Sequence, residues 1–143
     1  MAGEDVITDL FPEAQAAVER RLQEIMDAAQ TKDVDRLESY HLYGPKFTKF
    51  DDFEPLERQD GETTRQLERE AITGVKAFVP HVADLKVDVF GPVAVATFVF
   101  DYAVTTNDDD RLSVRARSTL VFAKDGTEWK IVHEHFSPFK SNP

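Results

Sequence analysis

The sequence contains no cysteine, which excludes disulfide cross-links, thiolate metal sites and a cysteine nucleophile. It has no apolar run long enough to cross a bilayer and no glycine-rich phosphate loop. The first residues, Met-Ala-Gly-Glu-Asp-Val, lack the basic and apolar regions of a signal peptide. Together these absences predict a cytoplasmic protein.

Basic residues are scarce, with 17 Lys and Arg against 27 Asp and Glu and a net charge of −10. This charge opposes binding to phosphate backbones and anionic lipids, so we expect neither a nucleic-acid partner nor a membrane partner. A chain of 143 residues, 41% of them hydrophobic, can bury a core of its own. We predict one domain over residues 12–138, between a flexible acidic lead at 1–11 and a tail at 139–143.

Apolar spacing predicts helices over residues 12–31, 33–40 and 62–79, with Pro80 ending the third. The candidate N-caps are Asp9 for the first helix, Asp33 for the second, and Thr63 or Thr64 for the third. Strand patterns follow at 85–90 and 93–105, and then a hairpin over 115–137 turns at Asp125-Gly126. Helices followed by antiparallel strands predict an α+β fold, with the helices on one side of a curved sheet.

Both faces of the predicted hairpin carry apolar side chains. By strict alternation, one face collects Arg115, Arg117, Thr119, Val121, Trp129, Ile131, His133 and His135. Because it mixes apolar groups with arginine and imidazole, we interpret it as a pocket wall. The other face would carry Phe98, Phe100, Leu120, Phe122 and Phe136, which we expect the helices to leave uncovered. An apolar patch of that size predicts a homodimer, unless strand bulges exchange the two faces.

The arginines provide the first candidate chemistry of this wall. An arginine facing a covered pocket needs a partner, since an unpaired buried charge is costly. Asp101 on the preceding strand is expected opposite Arg115, either as a structural ion pair or as a pocket acid. Arg117 would then be free to grip an anionic or enolisable oxygen.

The imidazoles provide the second candidate chemistry of the predicted pocket wall. His133 is a candidate acid or base, and His133-x-His135 has a spacing that metals use. No third ligand has diagnostic spacing, so we expect neither a metal nor an organic cofactor. The segment 40–50 crowds aromatic residues around Gly44-Pro45; it is either a loop pinned to the core or a pocket rim supplying His41 and Tyr43.

The run from Asp125 to Ser137, DGTEWKIVHEHFS, resembles the end of the SnoaL-like branch of the nuclear transport factor 2 superfamily. It is also similar to the Asp-Gly-x-Trp-x-Ile-Val-His-x-His-x-Ser run of the calmodulin-dependent protein kinase II association domain. The resemblance implies a cone-shaped barrel, a strongly bent sheet packed on three helices with a pocket at the wide end, and dimerisation through the sheet. Two pocket arginines of the kinase domain fall on Thr119 and Phe136, which leaves Arg117 as the candidate substitute.

Family activities include steroid isomerisation, polyketide ring closure, dehydration and epoxide hydrolysis, whereas other members bind or assemble. The resemblance therefore implies either a small-molecule enzyme or binder without a cofactor, or an assembly module with a vestigial pocket. We expect an apolar ligand with one anionic oxygen that Arg117 binds. His133 would transfer the proton, and Tyr43 would lie at the rim of the pocket. The expected apolar walls are Leu22, Ile72, Val99, Trp129 and Ile131.

Overall fold

The computed structural model describes residues 5–139, so the outer parts of the expected lead and tail lie outside the described range. The helices are α1 (Pro12–Gln30), α2 (Val34–Ser39) and α3 (Gly61–Thr73). The strands are β1 (Thr48–Phe50), β2 (Ala77–Phe90), β3 (Val93–Thr105), β4 (Arg111–Asp125) and β5 (Glu128–Pro138). None of the helices in residues 5–139 is long and apolar enough to cross a membrane.

The helix ends follow local capping chemistry. Asp33 accepts a hydrogen bond from the Arg36 amide, which confirms it as the N-cap of α2. The expected Asp9 cap is wrong, because α1 starts directly after Phe11, at φ 47°, with Pro12 in its first turn. The Thr63 and Thr64 caps are also wrong: Asp60 caps α3 by accepting a 2.8 Å bond from the Thr63 amide.

The third helix is shorter than predicted. It ends at Thr73, and residues 77–80 open the long strand β2 instead. Pro80 does not stop a helix; it lies within β2, which is an edge strand of the sheet. An edge strand tolerates proline because one side of its backbone needs no ladder hydrogen bond.

The five strands form one mixed sheet in the order β1-β5-β4-β3-β2. Strand β1 runs parallel to β5, and the remaining neighbours are antiparallel. The sheet curls around the helices, which confirms the α+β cone. The three-residue β1 was not predicted, because a strand that short has no readable alternation.

The inner face of the sheet, which packs against the helices, carries Phe98, Phe100, Leu120 and Phe122, all of them buried. The expectation that this face is uncovered is therefore wrong. A bulge in β5 also changes the expected parity: Phe122 pairs with Ile131 and Val121 with His133, so Val132 is the extra residue. Trp129 and Ile131 consequently point into the core rather than sharing a face with Arg117.

Candidate functional site

Most of the expected pocket residues lie on the outer face of the sheet, turned away from the helices. Arg117, Thr119 and His135 line one open cleft there, with a volume of about 500 Å³. The expected placement of these side chains inside the barrel is wrong, since the face that lines the interior is the aromatic one. Trp129 is a buried core residue.

Three further outer-face candidates already have partners. Asp101 and Arg115 are opposite each other in the β3–β4 register, as expected, and the Arg115 Nε donates to Asp101 Oδ1 over 2.7 Å. His133 Nδ1 lies 2.8 Å from Thr48 Oγ1. Partial burial lowers the pKa of His133, so this imidazole stays neutral at neutral pH.

Inside the barrel, four ionisable side chains form what we call the charged quartet: His41, Lys49, Glu68 and Glu134. The His41 Nε2 lies 3.0 Å from Glu134 Oε1 and 3.7 Å from Glu68 Oε2. The Lys49 Nζ lies 3.5 Å from Glu68 Oε1 and 3.9 Å from Glu134 Oε2. Each carboxylate therefore faces the imidazole with one oxygen and the ammonium with the other.

Four different elements supply the charged quartet. His41 follows α2 and pairs with Ile131 as an isolated parallel bridge. Lys49 of β1 is the register partner of Glu134 on β5, which places their inward side chains next to each other. Glu68 comes from the middle of α3. The sheet register and the helix packing thus hold the cluster together.

Two local contacts orient His41. Its Nδ1 lies 2.8 Å from the Leu37 carbonyl, so Nδ1 donates and Nε2 faces the carboxylates. Its ring stacks on Tyr43, with centroids 4.7 Å apart and planes 5° from parallel. A Cβ on Gly61 would lie 2.4 Å from the Tyr43 carbonyl oxygen, so only glycine lets α3 approach this segment so closely.

The quartet shifts the protonation of its members. Burial alone would lower the pKa of His41, but the carboxylates of Glu68 and Glu134 outweigh it and raise the pKa to about 9. For Lys49 the same carboxylates outweigh burial and raise the pKa further above its usual value. Both cations are therefore charged at neutral pH.

The two carboxyl groups shift in opposite directions. Burial and the neighbouring Glu134 carboxylate raise the pKa of Glu68 to about 8. For Glu134, the charges of Lys49 and His41 outweigh burial and hold the pKa well below its usual range. The site thus keeps one neutral carboxylic acid beside one carboxylate, the arrangement by which proteins separate the roles of acid and base.

A connected group of rings, here called the aromatic mouth, adjoins the quartet and consists of Phe78, Phe100, Tyr102 and Phe136. Neighbouring ring centroids lie 5.0 to 5.9 Å apart along the series Phe78, Tyr102, Phe100 and Phe136. The Lys49 ammonium lies 5.1 Å from the centre of the Phe136 ring. Three of the four rings are only half-buried, so part of their surface is accessible to solvent.

The solvent side of the quartet lies at Glu68 and Asp51. The Glu68 side chain is 18% exposed, against 1% for His41 and 6% for Glu134. Asp51 lies 3.4 Å from the Lys49 Nζ.

Within residues 5–139, the buried Tyr43 hydroxyl and Ser118 hydroxyl have no hydrogen-bond partner, although buried polar groups normally have one.

Ligand atoms of His41, Glu68 and Glu134 all lie within 4.8 Å of one another, so these three side chains could hold a metal ion. Lys49 argues against that use. Its ammonium already supplies positive charge to both carboxylates, and a divalent cation at the same carboxylates would be repelled by it. The chemistry of the donor set therefore favours proton transfer over metal binding.

Sequence patterns indicated His41 and Tyr43 as candidate rim residues but did not indicate Lys49 or Glu68. In the structure Glu68 falls between the buried residues Thr64 and Ile72 of α3 at a spacing of four, but Thr64 is polar, so the apolar pattern of the sequence does not mark this face. Glu134 lies on the face opposite His133 and His135. Its partners on the inner face come from other elements and have no motif in common.

A family model for the SnoaL-like domain matches residues 18–141. The chain belongs to the SnoaL-like domain family, within the nuclear transport factor 2-like fold. No curated protein matches the sequence.

Solved structures show the same fold at low identity. A candidate dehydratase of the NTF2-like family from Streptomyces avermitilis has a TM-score of 0.81 at 16% identity, over 91% of this chain and 99% of that one. A candidate scytalone dehydratase from Novosphingobium aromaticivorans has a TM-score of 0.80 at 11% identity, over 93% and 89%. A candidate calcium/calmodulin dependent protein kinase II association domain from Xanthomonas campestris has a TM-score of 0.74 at 17% identity, over 99% and 97%. At these identities the likeness extends to the fold alone.

Proposed function

We propose that this protein binds a small, largely apolar carbonyl compound at the aromatic mouth and moves a proton on it without a cofactor. The observation that carries this proposal is the charged quartet, in which two carboxyl groups lie between one imidazole and one ammonium beside that mouth. The dehydratase names of two structural relatives agree with acid–base chemistry of this class.

Glu68 is the proposed proton donor, since it is the most exposed member of the quartet and is protonated at neutral pH. It would give its proton to the carbonyl oxygen of the substrate and take a proton back from the adjacent carbon. The protons balance, and the product is a tautomer of the substrate. Lys49 would polarise the carbonyl oxygen before it is protonated, while Glu134 stays ionised and holds both cations in place.

Deuterium exchange tests this proposal directly. The protein is incubated in D2O with a panel of enolisable aromatic ketones, and loss of the α-proton signal is followed by NMR. Glu68→Gln has nearly the same shape as the neutral acid, so it should fold and bind but exchange at least tenfold more slowly. Glu70→Gln, an exposed change on the same helix, is the matched control and should exchange at the parent rate. Equal rates in the parent and Glu68→Gln, or no exchange above buffer with any ketone, would contradict the proposal.

Assembly through the sheet is the second candidate function, and the chemistry of the outer face favours it. Exposed apolar side chains border this face: Phe50, Val79, Phe90, Val93 and Phe139. On this face, Lys86, Arg115 and Arg117 offset Asp84, Asp88 and Asp101, so the face is close to neutral in a chain of net charge −10. A neutral face is where two acidic copies repel each other least. We therefore propose a homodimer through the outer face, which agrees with the association-domain name of one structural relative.

A further inference from the structure

We propose that the outer faces of two copies pack around a two-fold axis, with Arg117 of each copy bonded to the partner's Asp84. This inference rests on the homodimer proposed above and identifies the residues that make the outer face self-complementary. It does not depend on the chemistry of the charged quartet, which lies on the other face of the sheet.

Arg117 is a cation in the middle of the sheet without an acceptor of its own. It is exposed and lines the cleft of about 500 Å³, and within residues 5–139 no carboxylate lies within ion-pair distance of it. Arg115, two residues away on the same strand face, is already bonded to Asp101 over 2.7 Å. Covering Arg117 with a second protein surface would be costly unless that surface supplies an acid.

Asp84 is the acid that the same cleft presents. It lies at the β2 bulge, where the pairing with β3 shifts between Ala83 and Lys86, and its backbone is left-handed at φ 53°. A bulge redirects side chains, and this one places Asp84 in the lining of the cleft that Arg117 also lines. Within the described residues, the two side chains share the cleft without forming an ion pair with each other.

A two-fold axis converts this unpaired arrangement into two equivalent bonds. In an isologous interface, a contact from one residue to another occurs again in the reverse direction. A patch that holds one free cation and one free acid side by side is therefore complementary to its own rotated copy. Opposite charges paired in this way fix the register of an interface and exclude other registers.

Charge reversal with rescue tests the pair. The parent chain, Arg117→Glu, Asp84→Arg and the double variant are each measured by sedimentation equilibrium over a concentration series. Each single variant creates two like-charge contacts per dimer, so its dimer dissociation constant should rise at least a hundredfold. The double variant restores opposite charges and should return to within about tenfold of the parent.

Arg20→Glu is the matched control, because it makes the same charge change on the exposed side of α1 and should leave the dimer intact. Circular dichroism of each variant separates loss of association from loss of fold. Three results would overturn the pairing: a monomeric parent, a dimer that Arg117→Glu leaves unchanged, or a double variant no better than the single ones. None of these results tests proton exchange at the charged quartet. Equally, a failure of α-proton exchange would not contradict the pairing of Arg117 with the partner's Asp84.

Discussion

His41 should make the stability of the protein fall as the pH rises. The charged quartet raises the pKa of His41 from 6.5 to about 9. Because the folded state holds this proton more tightly than the unfolded state, the stabilisation is complete below about pH 6.5 and is lost as the pH rises through about 9. At roughly 1.36 kcal/mol per pKa unit, the linkage contributes about 3 kcal/mol to the free energy of unfolding.

The measurement is urea unfolding at several pH values between 6 and 10 for the parent and His41→Gln. The parent should lose about 3 kcal/mol through His41, together with a loss from Glu68, which releases its own proton near pH 8. His41→Gln keeps only the loss of stability that comes from Glu68, so its free energy of unfolding should fall less steeply with pH. His81→Gln removes an exposed imidazole from β2 and should behave like the parent.

NMR of the imidazole nitrogens gives an independent reading of the same quantity, and His41 should titrate near pH 9. The reasoning fails if the unfolding free energy of the parent is flat between pH 6.5 and 9. It also fails if His41→Gln falls as steeply as the parent, because the lost stability would then come from groups other than this imidazole.

Two packing predictions follow from the same structure. Gly61→Ala should lower the free energy of unfolding in urea by about 1–3 kcal/mol, because the new methyl group would lie 2.4 Å from the Tyr43 carbonyl oxygen. Gly44→Ala is the control, since its methyl group meets nothing within 4 Å and should leave the stability unchanged. Phe122→Ala should cost about 3–5 kcal/mol, because Phe122 is fully buried under the helices; Phe53→Ala, at a ring that is 49% exposed, should change stability little. A neutral Gly61→Ala or Phe122→Ala would contradict the packing that positions Glu68 and the inner face.

The sequence was sufficient for the fold but not for the faces of its sheet. The α+β order, the strands from residue 85 onward and the hairpin turn at Gly126 follow from local patterns, whereas β1 and the first residues of β2 do not. The alternation of side chains between the two faces then fails at Val132. One extra residue there places the earlier residues of β5 on the face opposite to the one that strict alternation predicts. Trp129 and Ile131 were placed with Arg117 for this reason alone. Nothing local in the sequence marks the bulge.

The charged quartet was harder to predict because its members are brought together by tertiary structure. Lys49 belongs to a strand of three residues, and Glu68 is one acid among several on α3. Each looks like a solvated surface charge when taken alone, since charged residues are seldom buried without partners. Only the parallel pairing of β1 with β5 and the packing of α3 show that these charges face one another.

The charge balance of the quartet decides which ligands the barrel should accept. With Glu68 protonated at neutral pH, the carboxylates of Glu134 and Asp51 balance the cations of His41 and Lys49. An anionic ligand would find no spare positive charge there and would lose its hydration on entering, which is costly. A neutral carbonyl compound pays no such penalty and can accept the Glu68 proton where it binds. Neutral ketones should therefore bind better than the matching carboxylic acids, which an arginine-lined barrel would select. Tighter binding of the acids than of the matching ketones would contradict this charge balance.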